Sequence, residues 1–430
     1  MAADRRRLPL EQVIAVSVWV LVVVNVQPWI RQPSVPQAQA TVEPSGAKGA
    51  LLAATFMVAV VLAAPRFRAR MPSTYLLYIA YLFLAAATAF HLSDPRTPLL
   101  RVARLGLVIA IPLLLWSWLA GRPQQFLRAH RLAHLLVALL VVAGLAAAPG
   151  DAWDGAGSFA AGGRLQGVFL PMLPPRVGEI GAVLVGLTTI ALVFRQARRL
   201  PASIVIGLGL ALVVLSRTRT AAAGLLVGLL VAFGITRRHR LGRRGLATLL
   251  VLLLLAVPLL VPLRSWAVRE QDSQRLASFT GRTLAWSAVL EQQSSWRTVL
   301  LGHGLGNKGV LLRRGEGDFD VMAIDNGWLS LFWETGWLGV GVVLLALLSA
   351  LVGVARAPTP TVRAAAGFLL VYVAVSSVTE TGLSDLSSQT LHVLVAAAAA
   401  YADRFLVRGE PLMLPALVPA QPASAGTAGT

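Results

Sequence analysis

Apolar runs of membrane-spanning length recur from one end of this chain to the other, and no other feature narrows its fold as far. Twelve are read, at 12–30, 49–65, 73–91, 99–120, 132–149, 177–194, 202–216, 220–236, 245–262, 327–354, 364–379 and 389–406. Hydrocarbon offers no partner to backbone N–H and C=O groups, so each run has to cross as a helix that satisfies its own backbone. The predicted class is therefore an all-α polytopic membrane protein with about twelve transmembrane helices. Composition agrees: 56% of the residues are hydrophobic and 13% charged, about half the charged share of a soluble domain. The chain has no cysteine, which excludes disulfides, thiolate catalysis and Cys-ligated metal sites.

The arginines set the orientation. A net charge of +19 arises from 36 Arg and 2 Lys against 19 acids. Short clusters stand at Arg5–Arg7, Arg66/Arg68/Arg70, Arg122/Arg128/Arg131, Arg195/Arg198/Arg199, Arg237–Arg244, Arg356/Arg363 and Arg404/Arg408. Twelve spans threaded with the N-terminus inside put every cluster on one side, so the positive-inside rule makes both termini cytoplasmic. No small-residue cleavage site follows the first apolar run, which reads as a retained span. The expected order is a cytoplasmic N-terminus (1–11), nine spans (12–262), a large outer loop (263–326), three spans (327–406) and a Pro/Ala/Gly-rich disordered tail (407–430). Basic groups spread over short loops give no nucleic-acid surface.

The positive-inside rule leaves the outer arginines unexplained. Arg101, Arg104, Arg164, Arg176, Arg217, Arg219, Arg264 and Arg282 fall outside or at outer helix ends. Arg217 and Arg219 lie in the run Leu215-Ser216-Arg217-Thr218-Arg219-Thr220-Ala221, a turn between two spans with almost no loop. Guanidinium binds phosphate bidentately, and a helix N-terminus beside it adds unpaired N–H groups. A lipid-linked diphosphate with its head group outside fits such a turn; the alternative is snorkelling to lipid phosphates.

The large loop carries a second set. Residues 282–297 read as one amphipathic helix on the outer surface, with Trp286, Val289 and Leu290 at helical spacing. His303 stands in Leu301-Gly302-His303-Gly304-Leu305-Gly306, as a general base, a phosphate contact or an incidental turn residue. Asp325 and Asn326 precede the tenth span, where Asp325 reads as either an N-cap or a proton acceptor. Glu334, about two turns into that span, is expected to pair with an outer arginine, because an unpaired acid at that depth is costly. Six histidines are scattered along the chain, and no metal cluster is read among them.

Taken in order, the arginine turn, Gly281-Arg282 followed by Trp286, the Gly-x-Gly-x-Gly turn at 302–306 and Asn326 followed by Gly336 and Gly339 resemble the O-antigen ligase/polymerase superfamily. The resemblance covers residues 160–345 best. It implies a GT-C-like bacterial inner-membrane glycosyltransferase of lipopolysaccharide biosynthesis, with its active site facing the periplasm. Such an enzyme moves a glycan from undecaprenyl diphosphate to a glycolipid or other envelope acceptor. Carried over by position, Arg219 and Arg282, with Arg217 beside them, engage the donor diphosphate. Arg164, Arg104, Asn326 and Glu334 are possible substrate contacts. The superfamily normally opens the motif before the tenth span with His-Asn, where this chain has Asp325-Asn326; Asp325 takes over as base, or His303 points into the same cleft. The expected reaction is a metal-independent, inverting displacement with no cofactor. A polymerase of the same superfamily is the nearest rival, and a glycolipid flippase or transporter the rival of another class.

Overall fold

The computed structural model describes residues 10–27, 46–63, 71–115, 122–154, 163–236, 282–293, 295–313 and 319–407. Among these, thirteen helices and two two-stranded antiparallel sheets are found. The helices are α1 (Leu10–Val26), α2 (Gly46–Ala63), α3 (Ser73–Ala89), α4 (Arg96–Leu114), α5 (Pro123–Ala147), α6 (Pro174–Val193), α7 (Arg199–Leu215) and α8 (Arg219–Gly234). They continue as α9 (Arg282–Glu291), α10 (Trp296–Leu301), α11 (Gly327–Ala355), α12 (Pro360–Ser376) and α13 (Ser388–Val407). The strands are β1 (Trp153–Asp154), β2 (Arg164–Leu165), β3 (Gly309–Arg313) and β4 (Phe319–Ala323).

The protein is a largely α-helical, multi-pass membrane protein. Helices α2, α4, α5, α6 and α11 are long and apolar enough to cross a bilayer, and α3, α7, α8, α12 and most of α1 are apolar but shorter. The expected ninth span, 245–262, lies outside the described residues, as do the N-terminal arginines, Arg264 and the tail beyond Val407. Helix α6 is the centre, buried along nearly its whole length. It reaches α7 through Gly181 and Gly209, each of which has the other's carbonyl where a Cβ would go; small residues of this kind let membrane helices approach backbone to backbone. On α3, Tyr75, Tyr78 and Tyr81 form a buried stripe. The Tyr75 hydroxyl donates to the Leu394 carbonyl at 3.1 Å and that of Tyr81 to the Ser384 carbonyl at 2.8 Å, tying α3 to α13 and the segment before it.

The large loop departs from expectation in three ways. The single amphipathic helix over 282–297 is two helices. Ser295 starts the second with a capping box, its hydroxyl accepting the Thr298 amide while Thr298 accepts the Ser295 amide. Ala285, Ala288 and Val289 face inward from α9, whereas Leu290, expected on the buried face, is exposed. The all-α expectation also fails in the loops: β3 and β4 pair from Gly309↔Ala323 to Arg313↔Phe319. This hairpin, α9 and the first turns of α11 enclose a small core of Val289, Val310, Ile324, Phe332 and Trp333. Finally, the run read as one span at 327–354 is kinked. Gly336 has φ +63° and ψ −170°, outside helical space, and a Cβ there would overlap the Leu300 backbone at the end of α10. The end of α10 is thus wedged into a break in α11.

Candidate functional site

Three groups of predicted residues converge on one connection, Ser377–Ser387 between α12 and α13. Its sequence, SSVTETGLSDLSSQT over 376–390, is rich in hydroxyls and carries Glu380 and Asp385 between two apolar helices. Side chains satisfy much of its backbone. Thr390 Oγ1 donates to the carbonyls of Gly382 at 2.9 Å and Asp385 at 3.0 Å, and Gln389 Nε2 to Ser376 Oγ at 3.0 Å. The connection is therefore built rather than slack.

The arginine turn docks on one end of it. Arg217 takes a left-handed conformation, φ +49°, which reverses the chain between α7 and α8. The turn is clamped to the start of α6: Thr218 Oγ1 donates to the Pro174 carbonyl at 3.2 Å, and Gly178 leaves no space for a Cβ against Ser216 and Thr218. Arg164 joins it from β2, its Nε donating to the Ser216 carbonyl at 3.2 Å. Thr220, in the first turn of α8, shares a 2.6 Å hydrogen bond with Thr379 of the connection. Arg164, Arg217 and Arg219 are thereby brought together at the N-terminal end of α8. Arg176 is a strut beside them, donating to Glu179 at 2.7 Å, Ser388 at 2.9 Å and the Thr381 carbonyl at 3.1 Å. Arg282 occupies the first position of α9, but its side chain lies outside the described residues.

Asp325 stands where the loop re-enters the helices. The helix cap is not Asp325: Asn326 Oδ1 accepts the amides of Trp328 at 2.9 Å and Leu329 at 3.0 Å. The residues flanking Asp325 are pinned on both sides, the Ile324 amide to the Lys308 carbonyl at 2.9 Å and the Gly327 amide to the Ser377 carbonyl at 2.7 Å. The half-buried Asp325 thus sits between the glycine turn and the polar connection.

The glycine turn forms the other end of the site. The His303 ring stacks on Trp333 at 3.8 Å between centroids and 18° between planes. Its Nδ1 lies 3.2 Å from the Trp333 carbonyl. A carbonyl only accepts, so Nδ1 carries the proton and the neutral ring keeps its lone pair on Nε2. Burial holds the His303 pKa below its usual value, outweighing the carbonyl bond that favours protonation. Glu334 is fully buried and meets no outer arginine among the described residues; its Oε1 accepts the Gly306 amide at 2.8 Å, and its nearest cationic influence is Lys308. One of the outer arginines, Arg101, ion-pairs with Asp385 at 2.8 Å, and Lys308 reaches the same carboxylate oxygen at 3.3 Å. Gly306 is glycine because Arg101 crosses where a Cβ would be. Arg104 also feels the Asp385 charge. Burial alone would raise the Asp385 pKa, but Lys308, Arg101 and the Leu386 amide hold it well below the carboxylate range. Lys308, Asp385 and the connection itself are the parts of the site that sequence reading missed; Arg101 was singled out, but without its partner. Their signal was a long hydroxyl- and acid-bearing run between two spans.

A polar chain also crosses the helix core, and it corrects the reading of the histidines as scattered. Nitrogens of His130, His134 and His392 lie within 4.8 Å of one another. Trp19 Nε1 donates to His130 Nδ1 at 3.3 Å, so the neutral His130 proton sits on Nε2, 3.2 Å from His392 Nδ1. His392 Nε2 then donates to Glu179 at 3.2 Å, and Glu179 holds Arg176. A metal on His130 Nε2 would move that proton to Nδ1, where it would face the indole N–H. These residues fit an ordered hydrogen-bond chain better than a metal site.

Residues 204–344 match the sequence model of the O-antigen ligase family. The match begins within α7 and ends in α11, so it includes Arg217, Arg219, Arg282, His303, Asp325, Asn326 and Glu334. It starts later than the 160–345 stretch expected from the motifs and leaves out Arg104, Arg164 and the α12–α13 connection. No curated protein matches the chain closely enough to serve as a relative.

Proposed function

We propose that the protein is an O-antigen ligase-like glycosyltransferase, moving a glycan from undecaprenyl diphosphate to a glycolipid or other envelope acceptor at the outer face of a bacterial inner membrane. The observation that carries the reading is the clamped turn that gathers Arg164, Arg217 and Arg219 at the start of α8, joined through Thr379 and Ser377 to the segment bearing Asp325. The family match over this stretch supports the same reading. In the proposed reaction the acceptor hydroxyl oxygen bonds to the anomeric carbon as the bond from that carbon to the phosphate oxygen breaks. The electron pair leaves with the diphosphate, and configuration inverts. Arg217, Arg219 and Arg282 hold the diphosphate and stabilise its developing charge, without a divalent cation. Asp325 receives the hydroxyl proton, since it stands at the motif position before α11 where the superfamily has His; His303, with its lone pair on Nε2, is the second acceptor to test.

The test is transfer by purified protein with undecaprenyl-diphosphate glycan and EDTA, with and without acceptor. We expect undecaprenyl diphosphate release coupled to acceptor glycosylation. Arg219→Ala should lower it by roughly 10²- to 10³-fold, as loss of one charge-stabilising donor does. Full transfer by Arg219→Ala would remove the donor-site assignment. Lengthening of lipid-linked glycan without acceptor would make the protein a polymerase. Glycolipid movement across vesicles without turnover would make it a transporter.

A further inference from the structure

At the end of the bundle opposite the arginine turn, a groove of about 500 Å³ lies between the N-terminus of α3, the C-terminal half of α11 and the end of α13. Its wall is split by chemistry. Leu345, Leu348 and Val352 of α11 are exposed and apolar, as expected of a face against hydrocarbon. A polar rung crosses it, where the Ser73 and Ser349 hydroxyls meet at 2.6 Å and Thr74 donates to Ser349 at 3.2 Å. Two arginines, Arg356 and Arg404, close one end, and no acid among the described residues lines the groove.

The charge there is uncompensated among the described residues. Asp403, the neighbour of Arg404 in sequence, is fully buried and turned away, taking the Thr359 amide at 2.8 Å and the Thr359 hydroxyl at 2.9 Å. Arg404 Nη2 donates to the Gly353 carbonyl at 3.1 Å, but its Nε is buried without an acceptor, a costly state for a charged donor. Two guanidiniums at the mouth of an apolar groove call for an anionic head on an apolar tail. Basic pockets between membrane helices bind phospholipid heads by this logic.

We propose that the groove is a binding site for an anionic glycerophospholipid, its phosphate on Arg356 and Arg404 and an acyl chain along Leu345, Leu348 and Val352. The site is separate from the arginine turn, and its test uses no transfer assay. Full-length protein in detergent is mixed with phosphatidylglycerol or phosphatidylcholine, and retained lipid is counted by native mass spectrometry. Wild type should retain phosphatidylglycerol over phosphatidylcholine by about tenfold, on the order of one arginine's contribution or more. Arg356→Gln with Arg404→Gln should bring the ratio near one without moving the thermal midpoint. Leu348→Trp, which fills the groove and leaves both arginines, should lower retention of either lipid. Equal retention of the two lipids by wild type, or a preference untouched by the double substitution, would overturn the proposal. So would displacement of phosphatidylglycerol by equimolar inorganic phosphate, which would assign the arginines to a free anion.

Discussion

At the scale of single residues, Asp325 and His303 differ in what holds them. His303 has its tautomer chosen by the Trp333 carbonyl and its ring stacked on the indole, whereas Asp325 lies between two pinned backbone positions. If Asp325 is the base, Asp325→Asn should cost about 10²- to 10⁴-fold in transfer rate and His303→Gln much less; the reverse ranking in steady-state assays would move the role to His303. Acid stability separates two other contributions. Asp385 has a lowered folded-state pKa, so its stabilisation is complete above its unfolded value near about 4 and is lost as pH falls through the folded value. His303 also has a lowered folded-state pKa, but there the native ring is the neutral form. Its unfolded state gains a proton first, so stability declines as pH drops below about 6.5. Unfolding midpoints measured against pH should therefore flatten below about pH 6.5 in His303→Gln, and flatten only below about pH 4 in Asp385→Asn. A midpoint curve for His303→Gln that overlies wild type would contradict the buried neutral ring.

Among the elements, α11 and the chain through α5, α13 and α6 carry the testable geometry. Gly336→Ala puts a Cβ into the Leu300 backbone at φ +63° and should cost about 3 kcal/mol or more, by strain and overlap together. Gly341→Ala, in the same helix with nothing within 4 Å, should be neutral or stabilise by about 0.5–1 kcal/mol. Equal effects of the two on denaturation in detergent would mean that the kink is not a fixed feature. Glu179→Gln keeps the shape but removes one of the two carboxylates that face the Arg176 cation, Glu380 being the other; the denaturation midpoint in detergent should show a loss of about 1–3 kcal/mol. Helix positions were legible from sequence because a span needs only length and hydrocarbon character. The hairpin β3–β4 was not, because its five-residue strands lie in a polar loop and become stable only on Phe332 and Trp333 of α11.

For the whole molecule, orientation is the claim to test, and a chain without cysteine makes the experiment clean. Asp151 follows α5 and Arg198 precedes α7, and both are exposed. Under the positive-inside threading, Asp151→Cys should react with a membrane-impermeant maleimide added to intact cells. Arg198→Cys should react only after lysis. The opposite pattern would invert the topology and put the arginine turn inside the cell.

What the sequence determined by itself is set by local physics: which runs are apolar enough to form membrane helices, and which arginines the positive-inside threading leaves without a reason. Arg217 and Arg219 were found that way, because their turn is too short to bring in distant partners. Tertiary structure decided everything that depends on residues meeting across the chain. It paired Arg101 and Lys308 with Asp385, gave the helix cap to Asn326, joined His130 of α5 to His392 of α13 in one chain and made the α12–α13 connection the meeting point of the candidate site. Those partners are separated by up to hundreds of residues. No spacing rule reaches that far; only the packing of α6 at the centre, and the need of each buried charge for a counter-charge or hydrogen bond, selects them.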